Sequence, residues 1–269
     1  MVTEFSVVIP TCRRPAELAQ AIASVLEQAG NWLEIIVVDD SIDQSAESVV
    51  ARFADHRIRY QRNPTPSNGW VSAVRNYGIG FARGSLIHFL DDDDMAPPGH
   101  YAAMKELFES KPDVGVVFGR VAPFGDDAEK VEQEKQVFEE AARRALASRR
   151  FGPKWAFASR LFFSPTLLVC GAAVIRKSCI PSGGFDTTLK VAEDVDFYAR
   201  AIQNSGTYFV DRVTLLYRIW EDSLIHTPTL GPTIIRDNYR KIHARYRRDR
   251  GGFDYLLTKA LTRTLLRIV

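Results

Sequence analysis

The stretch SLIHFLDDDDM, residues 85–95, passes from a mostly apolar segment directly into four consecutive aspartates. Ser85–Leu90 has the length and composition of a buried β-strand. Four like charges at the end of such a strand repel one another, and burying any of them without a partner is costly. Because crowded carboxylates become favourable around a hard divalent cation, the stretch predicts a buried strand with a charged site at its carboxyl end.

Four more apolar strands are predicted around this one, with helical patterns between them. They are Phe5–Ile9, Leu33–Val38, Ile58–Gln61 and Val114–Phe118. Strands that are apolar along their whole length and alternate with helices are typical of an α/β fold, in which helices cover both faces of a mainly parallel sheet. We interpret the chain as one globular unit with two halves, residues 1–120 and a smaller C-terminal half, residues 121–269.

The composition restricts the class of protein. The 35 lysines and arginines against 33 aspartates and glutamates give a formal net charge of +2, so no nucleic acid partner is expected. Three cysteines without disulfide or zinc spacing fit the reducing cytoplasm. We expect no signal peptide, because a strand begins at Phe5, and no membrane span, because the longest apolar stretch is shorter than the roughly 20 residues needed.

Polar residues follow three of the predicted strands. Pro10, Thr11 and Arg14 follow the first, Asp39 and Asp40 follow the second, and the aspartate run follows the fourth. The carboxyl ends of parallel strands lie along one edge of a sheet, and ligands bind in the crevice there. The three clusters therefore predict one site.

Each cluster has more than one interpretation. Asp91 and Asp93 would point to the same side of an extended segment and could hold Mg²⁺ or Mn²⁺, but a solvated acidic turn or an adventitious calcium site gives the same run. The pair Asp39-Asp40 could cap the next helix or accept a hydrogen bond from a nucleobase or ribose. Arg14 could reach a diphosphate or base, or lie in a solvated turn.

A further acidic cluster lies in the C-terminal half. Glu193 and Asp194 come just before an amphipathic helix, and the segment Gly183–Asp186 precedes them. Negative charge at a helix N-terminus is favourable without any catalytic role. Alternatively, a partly desolvated aspartate there could accept the proton of an attacking hydroxyl as a general base.

Taken together, these segments resemble the family 2 glycosyltransferases, which have the GT-A fold. The similar segments cover about residues 5–218 in the order of the family: VVIPTCRRP, EIIVVDDS, AVRNYGIGFARG, LIHFLDDDD, GGFD and EDVDFYAR. The resemblance implies a Rossmann-like sheet in which residues 1–120 bind a nucleotide sugar and residues 121–269 bind the acceptor. It also implies transfer of the sugar from UDP, dTDP or GDP to a hydroxyl of a carbohydrate or lipid-linked acceptor, with inversion.

The resemblance assigns roles on the donor side. Mn²⁺ or Mg²⁺ would be bound by Asp93 and Asp91. The nucleotide would be held by residues at the strand ends and on the third helix: Pro10, Thr11, Arg14, Asp40, Arg75, Asp91 and Asp92. Of these, Asp40 would contact the base, Asp92 would lie near the ribose and Arg75 would lie beside the diphosphate.

On the acceptor side the resemblance makes Asp194 the catalytic base, with Glu193 beside it. The chain departs from the family after Tyr217, where many members carry a histidine two residues beyond a Tyr-Arg pair. Here Trp220 occupies that position. Either His226 serves as a metal ligand from a longer loop, or the third protein ligand is missing. Arg218 could itself offset diphosphate charge.

Two more segments have alternative interpretations. The aromatic residues Trp155, Phe157, Phe162 and Phe163 form either an acceptor platform or part of the core. Residues 252–269 form an amphipathic helix with a basic face, which either makes peripheral contact with an anionic membrane or packs on the domain or a partner.

Two competing functions remain at this stage. A degenerate domain would bind a sugar nucleotide without turnover, which Trp220 favours and the Glu193-Asp194 pair opposes. A metal-dependent nucleotidyltransferase would have a glycine-rich loop with a lysine after the first strand, where this chain has PTCRRP, residues 10–15.

Overall fold

The computed structural model describes residues 4–28, 30, 32–67, 70–148, 170–203, 205–220 and 232–268, and within them the chain forms a seven-stranded sheet flanked by helices. The strands are β1 (Phe5–Thr11), β2 (Leu33–Asp39), β3 (Ile58–Arg62), β4 (Leu86–Phe89), β5 (Val114–Phe124), β6 (Ala173–Arg176) and β7 (Gly206–Arg218). The helices are α1 (Pro15–Leu26), α2 (Glu47–Phe53), α3 (Val71–Ile79), α4 (His100–Ser110), α5 (Ala128–Ser148), α6 (Glu193–Ala201), α7 (Pro232–Arg250) and α8 (Gly252–Ile268).

The sheet has the strand order β3-β2-β1-β4-β6-β5-β7. The pairs β1–β2, β2–β3, β1–β4 and β5–β7 are parallel. Only β6, among the described strands, runs antiparallel to the strands on either side of it. The predicted α/β class with a mainly parallel sheet is therefore confirmed.

Helices cover both faces of the sheet because side chains alternate along each strand. On one face Val8 and Ile36 pack in a core with Val74 of α3. On the other face Val7 and Ile35 pack in a second core with the helices α1 and α4. Strands β1 and β2 are buried along their whole length, which explains their nearly continuous apolar sequence.

Helix α3 lies very close to the sheet, which fixes the position of its polar residues. A Cβ atom at Gly78 would lie 2.4 Å from Cγ1 of Val8 and 3.1 Å from Cγ2 of Val38. Only a residue without a side chain permits this approach. Arg75, about one turn earlier, is thereby held beside Asp91, just beyond the carboxyl end of β4.

The C-terminal strands belong to the same sheet as the N-terminal ones. Residue 120 lies within β5, and β6 joins β4 to β5. The sequence pattern predicts separate strands near residues 207–210 and 213–218, but the structure joins them in β7, with register shifts where it pairs with β5. The division into donor and acceptor halves stays a prediction.

Helices α7 and α8 pack against each other as a hairpin. The Tyr246 hydroxyl donates to Asp254 Oδ2 at 2.8 Å, and His243 Nδ1 lies 3.0 Å from the Tyr255 hydroxyl. Tyr246 also belongs to the core that contains α6. The hairpin is therefore attached to the main body through α7.

Candidate active site

The four aspartates form a tight turn at the end of β4. The backbone N–H of Asp94 donates to the carbonyl of Asp91 at 3.2 Å, and the chain then pairs with β7 through a bridge between Met95 and Leu216. The expectation that Asp91 and Asp93 share one side of an extended segment is therefore wrong, because the chain turns as soon as it leaves the sheet. Each carboxylate instead has its own set of partners, in which Arg14 is shared by Asp92 and Asp93.

Asp91 is paired with Arg75, which also holds Glu193. The Arg75 side chain is 3% exposed, and its terminal nitrogens donate to Asp91 at 2.6 Å and to Glu193 at 3.0 Å. Although burial opposes its charge, Asp91 and Glu193 raise the pKa of Arg75 well above its ordinary value. Arg75 therefore connects the end of β4 with the start of α6, a role that the sequence interpretation missed.

Asn76, next to Arg75, was also missed from the sequence. Its side chain accepts from the N–H of Phe185 and donates to the carbonyl of Phe185, both at 2.8 Å. Gly184, just before, has φ +63°, a conformation that favours glycine. The signal that could have identified Asn76 is a polar Arg-Asn pair inside an otherwise apolar helical segment.

Asp92 is buried and bonded to the first strand. It accepts from the Thr11 hydroxyl at 2.7 Å and from Arg14 at 3.2 Å. Burial and the charge of Asp93 raise the pKa of Asp92 to about 7, and the Thr11 and Arg14 contacts offset only part of the rise. The prediction that Thr11, Arg14 and Asp92 lie together at one edge of the sheet is therefore correct. Pro10, in contrast, is a buried residue within β1.

Asp93 has two donors from distant parts of the chain. The indole N–H of Trp220 donates to its Oδ2 at 3.0 Å, and Arg14 contacts the same oxygen. The side chain is 16% exposed, so the carboxylate remains accessible from the crevice. Burial and repulsion from Asp91 raise the pKa of Asp93, and Arg14 and Trp220 oppose this rise.

Asp94 fixes the end of β7 beside the turn. It accepts from the backbone N–H of Arg218 at 2.9 Å, and the Arg218 side chain donates to the carbonyl of Asp93 at 2.9 Å and to Gln20 at 2.7 Å. The guanidinium of Arg218 lies 4.5 Å over the Phe124 ring. Arg218 is therefore held at the aspartate turn, where the sequence interpretation expected a cation.

The two aspartates that follow β2 have different roles. Asp39 accepts from the backbone N–H groups of Ser41 and Ala46, in the loop before α2, at 2.9 and 3.0 Å. Asp40 is held by Asn63, whose amide donates at 2.6 Å, and by Ser67, whose backbone N–H and hydroxyl donate at 2.9 and 2.8 Å. Asp39 therefore fixes the loop before α2 rather than capping the helix itself, and Asp40 is buried just beyond the carboxyl end of β2.

Asp194 lies in the first turn of α6, as predicted, beside Glu193. The residue before the helix, Ala192, has φ +59°, so the chain turns sharply there. Burial, followed by the charge of Glu193, raises the pKa of Asp194 to about 7, and Arg75 opposes this rise. A carboxyl group with such a pKa can accept a proton near neutral pH.

A comparison with known families identifies the arrangement. The model of the family described as glycosyl transferase family 2 matches residues 6–176. The chain belongs to this family. The match includes the aspartate turn, Arg75 and Asp40.

Relatives in the family extend beyond this chain. A Mycobacterium tuberculosis protein named MT1568 is 29% identical over 209 residues, which are 76% of this chain and 64% of that protein. WcaA of Escherichia coli K12, named as a colanic acid biosynthesis glycosyl transferase, is 30% identical over 75% of this chain and 67% of its own length. The chain thus spans slightly less than two thirds of the mycobacterial relative.

A solved structure shows the same fold. TarS residues 1–349 of S. aureus, in complex with UDP-GlcNAc, gives a TM-score of 0.66 at 19% identity and covers 91% of this chain and 66% of that chain. This likeness confirms the GT-A fold. None of the described helices is long and apolar enough to cross a membrane.

The charge at the aspartate turn of this family 2 chain fits a divalent cation. Burial and the charges of Asp93 and Asp91 raise the pKa of Asp94 well above its ordinary value, and Oδ2 of Asp94 has no hydrogen-bond partner in the described part of the chain. Mg²⁺ and Mn²⁺ prefer such oxygen ligands and often use only one or two protein carboxylates. Among the described residues no group of three or more His, Cys, Asp or Glu side chains could hold a metal ion, so the cation stays a proposal.

Other predicted residues cannot be placed. His226 and the aromatic residues Trp155, Phe157, Phe162 and Phe163 lie outside the described residues. The choice between an acceptor platform and core packing therefore stays open, and so does the role of His226 as a ligand.

Proposed function

We propose that the protein is an inverting glycosyltransferase that moves a sugar from a nucleotide diphosphate sugar to an acceptor hydroxyl, with Asp194 as the general base. The observation that supports this most strongly is the pair of bonds from Arg75 to Asp91 and Glu193. It joins the carboxylates expected at the donor diphosphate to the helix that carries the base. Family membership favours this activity over a nucleotidyltransferase.

The proposed reaction needs one proton transfer and no covalent intermediate. Asp194 takes the proton of the acceptor hydroxyl while the acceptor oxygen bonds to the anomeric carbon. The bond between that carbon and the diphosphate oxygen breaks, and its electron pair leaves with the nucleoside diphosphate. Attack opposite the leaving group inverts the anomeric carbon. The pKa of Asp194, about 7, suits a base at neutral pH.

The negative charge of the leaving diphosphate needs compensation. Arg218 and Arg14 are held at the aspartate turn and supply fixed positive charge there. Asp91 and Asp93 would hold Mn²⁺ or Mg²⁺, which when bound supplies Lewis-acid stabilisation of that charge. Asp91 keeps Arg75 in place, and Trp220 orients Asp93.

We propose a UDP sugar as the donor. The TarS structures include complexes with UDP and with UDP-GlcNAc. In this chain Asp40 is fixed by Asn63 and Ser67 just beyond the carboxyl end of β2, and we propose that its carboxylate accepts from the N–H of uracil. The N–H groups of guanine and thymine would also fit, so GDP and dTDP sugars are the alternatives.

The acceptor is proposed to be a carbohydrate or a lipid-linked carbohydrate at an anionic membrane surface. The side chain of Phe253 is 82% exposed and that of Leu256 is 64% exposed, on one face of α8. The exposed cations Arg247, Arg248 and Lys259 lie near them along the chain. An apolar face bordered by cations is complementary to an anionic lipid surface. The cytoplasmic location stays an expectation.

The first experiment measures the melting temperature with UDP, GDP, dTDP and CDP, each with and without Mn²⁺. A ligand that binds only the folded state raises the melting temperature. We expect UDP with Mn²⁺ to give the largest shift, and UDP to be released slowly from a UDP sugar. If a nucleotide binds but no nucleotide sugar is turned over with any acceptor tested, the protein is a non-catalytic binding domain instead.

A further inference from the structure

Helix α6, which carries Asp194, is held by side chains of α7. Arg245 of α7 donates from Nη1 to both oxygens of Asp196, at 2.7 and 2.8 Å, and from Nη2 to Asp186. The Asp196 side chain is only 2% exposed, and Arg245 itself is partly buried. One guanidinium therefore joins α6 to the segment Gly183–Asp186.

The two carboxylates that Arg245 holds belong to two segments that contact the active-site elements. Asp196 is two residues beyond Asp194 on α6, and Asp186 follows Phe185, whose backbone is bonded to Asn76 of α3. The Phe185 ring stacks on Phe197 with centroids 4.0 Å apart. Fixing Asp186 and Asp196 together therefore fixes α6 relative to α3 and Arg75.

A second residue of α7 holds the chain before α6. The Asn238 amide donates to the carbonyl of Val191 at 3.1 Å, and Asn238 is buried. Val191 precedes Ala192, which has the left-handed conformation that starts the helix. Helix α7 thus contacts the chain both before and after Asp194.

Charge compensation for Asp196 does not depend on Arg245 alone. Arg200, one turn later on α6, donates to Asp196 at 2.8 Å and also to the carbonyl of Gly184. If Arg245 is removed, Asp196 keeps one cation, so the buried carboxylate is not left unpaired. What is lost is the connection between α6, Asp186 and α7.

We propose that Arg245 is a positioning residue for transfer, which holds the first turn of α6 so that Asp194 stays in reach of the acceptor hydroxyl. The proposal rests on the proposed role of Asp194 as the base. Misplacing a reacting group by about 1 Å costs roughly a hundredfold in rate. Because the nucleotide is expected at the other side of Arg75, donor binding should be spared.

The test compares Arg245→Gln, Arg245→Lys and the matched control Arg240→Gln. Arg240 lies on the same helix, is 70% exposed and pairs with Asp237 at the surface. For Arg245→Gln we expect kcat to fall about 10- to 100-fold, with unchanged KM for the nucleotide sugar and an unchanged UDP-induced shift in melting temperature. We also expect the acidic limb of the kcat–pH profile to move, Arg245→Lys to restore part of kcat, and Arg240→Gln to resemble the wild type.

Three outcomes would overturn the proposal: unchanged kcat and pH profile in folded Arg245→Gln, a parallel loss of donor binding, or an equal loss in Arg240→Gln. If Arg245→Gln does not fold, Asp186→Asn breaks one side of the same connection, and unchanged kcat in that variant overturns the proposal too. Asp194→Asn distinguishes failure of the base assignment from failure of the positioning role. Retained turnover in Asp194→Asn refutes the base assignment, whereas its loss together with normal Arg245→Gln refutes only the positioning role.

Discussion

Trp220 donates its indole N–H to Oδ2 of Asp93 across 3.0 Å, although 127 positions separate them in the chain. An indole nitrogen only donates, so Trp220 orients this carboxylate but cannot bind a cation itself. At the position where the family resemblance implies a histidine, this chain has a residue that aims the proposed ligand Asp93. Trp220, in place of that histidine, therefore still contacts the aspartate turn.

Replacing Trp220 by phenylalanine should weaken manganese-dependent nucleotide binding. Phe keeps an aromatic ring but removes the donor to Asp93, and losing a partner that orients a metal ligand typically costs 10- to 100-fold in affinity. We expect about a tenfold higher Mn²⁺ concentration for half-maximal stabilisation by UDP. Melting temperatures measured over a series of Mn²⁺ concentrations give this value directly.

The control for this experiment is Trp32→Phe, because Trp32 packs against Phe5 in the core, at the start of β1. Asp93→Ala gives the limit in which the proposed ligand is absent. Manganese dependence in Trp220→Phe equal to that of the wild type would refute the orienting role. Manganese dependence in Asp93→Ala equal to that of the wild type would refute Asp93 as a metal ligand.

Removal of the proposed base should abolish transfer without abolishing donor binding. A general base contributes about 10²- to 10⁴-fold, so Asp194→Asn should lower kcat by that factor. Because the pKa of Asp194 is about 7, the wild-type kcat should fall about tenfold per pH unit well below pH 7, as the carboxyl becomes protonated. The measurement is kcat from pH 5 to 9, with UDP binding as the reference.

Asp211→Asn serves as the control for Asp194→Asn, because Asp211 pairs with Arg120 at the surface. It should leave kcat and its pH profile unchanged. Residual turnover of Asp194→Asn near the wild-type level would mean that another group takes the acceptor proton.

The contribution of His88 to stability should decrease on mild acidification. Its ring is fully buried, 2.7 Å from the carbonyl of Gly171 and 3.0 Å from the Tyr101 hydroxyl. Burial lowers the pKa of His88 to about 4. His88 is therefore protonated below about pH 6.5 in the unfolded chain, but only below about pH 4 in the folded chain. The stability that His88 contributes above pH 6.5 is lost as the pH falls.

This effect is measured as a difference between variants in urea unfolding. From pH 6.5 to pH 5 the wild type should lose about 2 kcal/mol that His88→Gln does not lose. His56→Gln, at a side chain that is 82% exposed, should follow the wild type. If the free energies of unfolding of the wild type and His88→Gln differ by the same amount at both pH values, the pKa of His88 is unshifted.

The exposed face of α8 should govern binding to anionic vesicles. The double variant Phe253→Ser and Leu256→Ser removes the two most exposed apolar side chains among those described on that helix, and we expect it to lose most of its binding to phosphatidylglycerol vesicles. Val137→Ser, at a 46% exposed position on α5, should bind like the wild type. Failure of the intact chain to sediment with these vesicles would exclude the membrane contact.

The strands and helices of this chain can be predicted well because they follow from local patterns. β1, β2 and β5 are apolar runs, and α1 begins at Pro15, a residue that fits the first position of a helix. The edge that collects Thr11, Asp40 and the aspartate run also follows from strand direction alone. Each of these inferences needs only neighbouring residues.

The partners inside the site cannot be predicted in this way, because they join distant residues. Arg75 meets Glu193 across 118 positions, and no local pattern distinguishes a buried bridging arginine from one that faces a diphosphate. The aspartate run was misjudged because a strand-like alternation was assumed where the chain already turns. Similarly, only the structure shows that Asp39 accepts a hydrogen bond from the loop before α2, whereas Asp40 accepts one from Asn63.

Strand β6 fills the place between β4 and β5, yet it is synthesised long after both. β4 ends at Phe89 and β6 begins at Ala173, so a ribosome that adds about 5–20 residues per second needs several seconds to supply it. Until then β4 presents unpaired N–H and C=O groups, an edge that other chains can join. The order of synthesis therefore leaves an edge that favours aggregation until residue 176 has emerged.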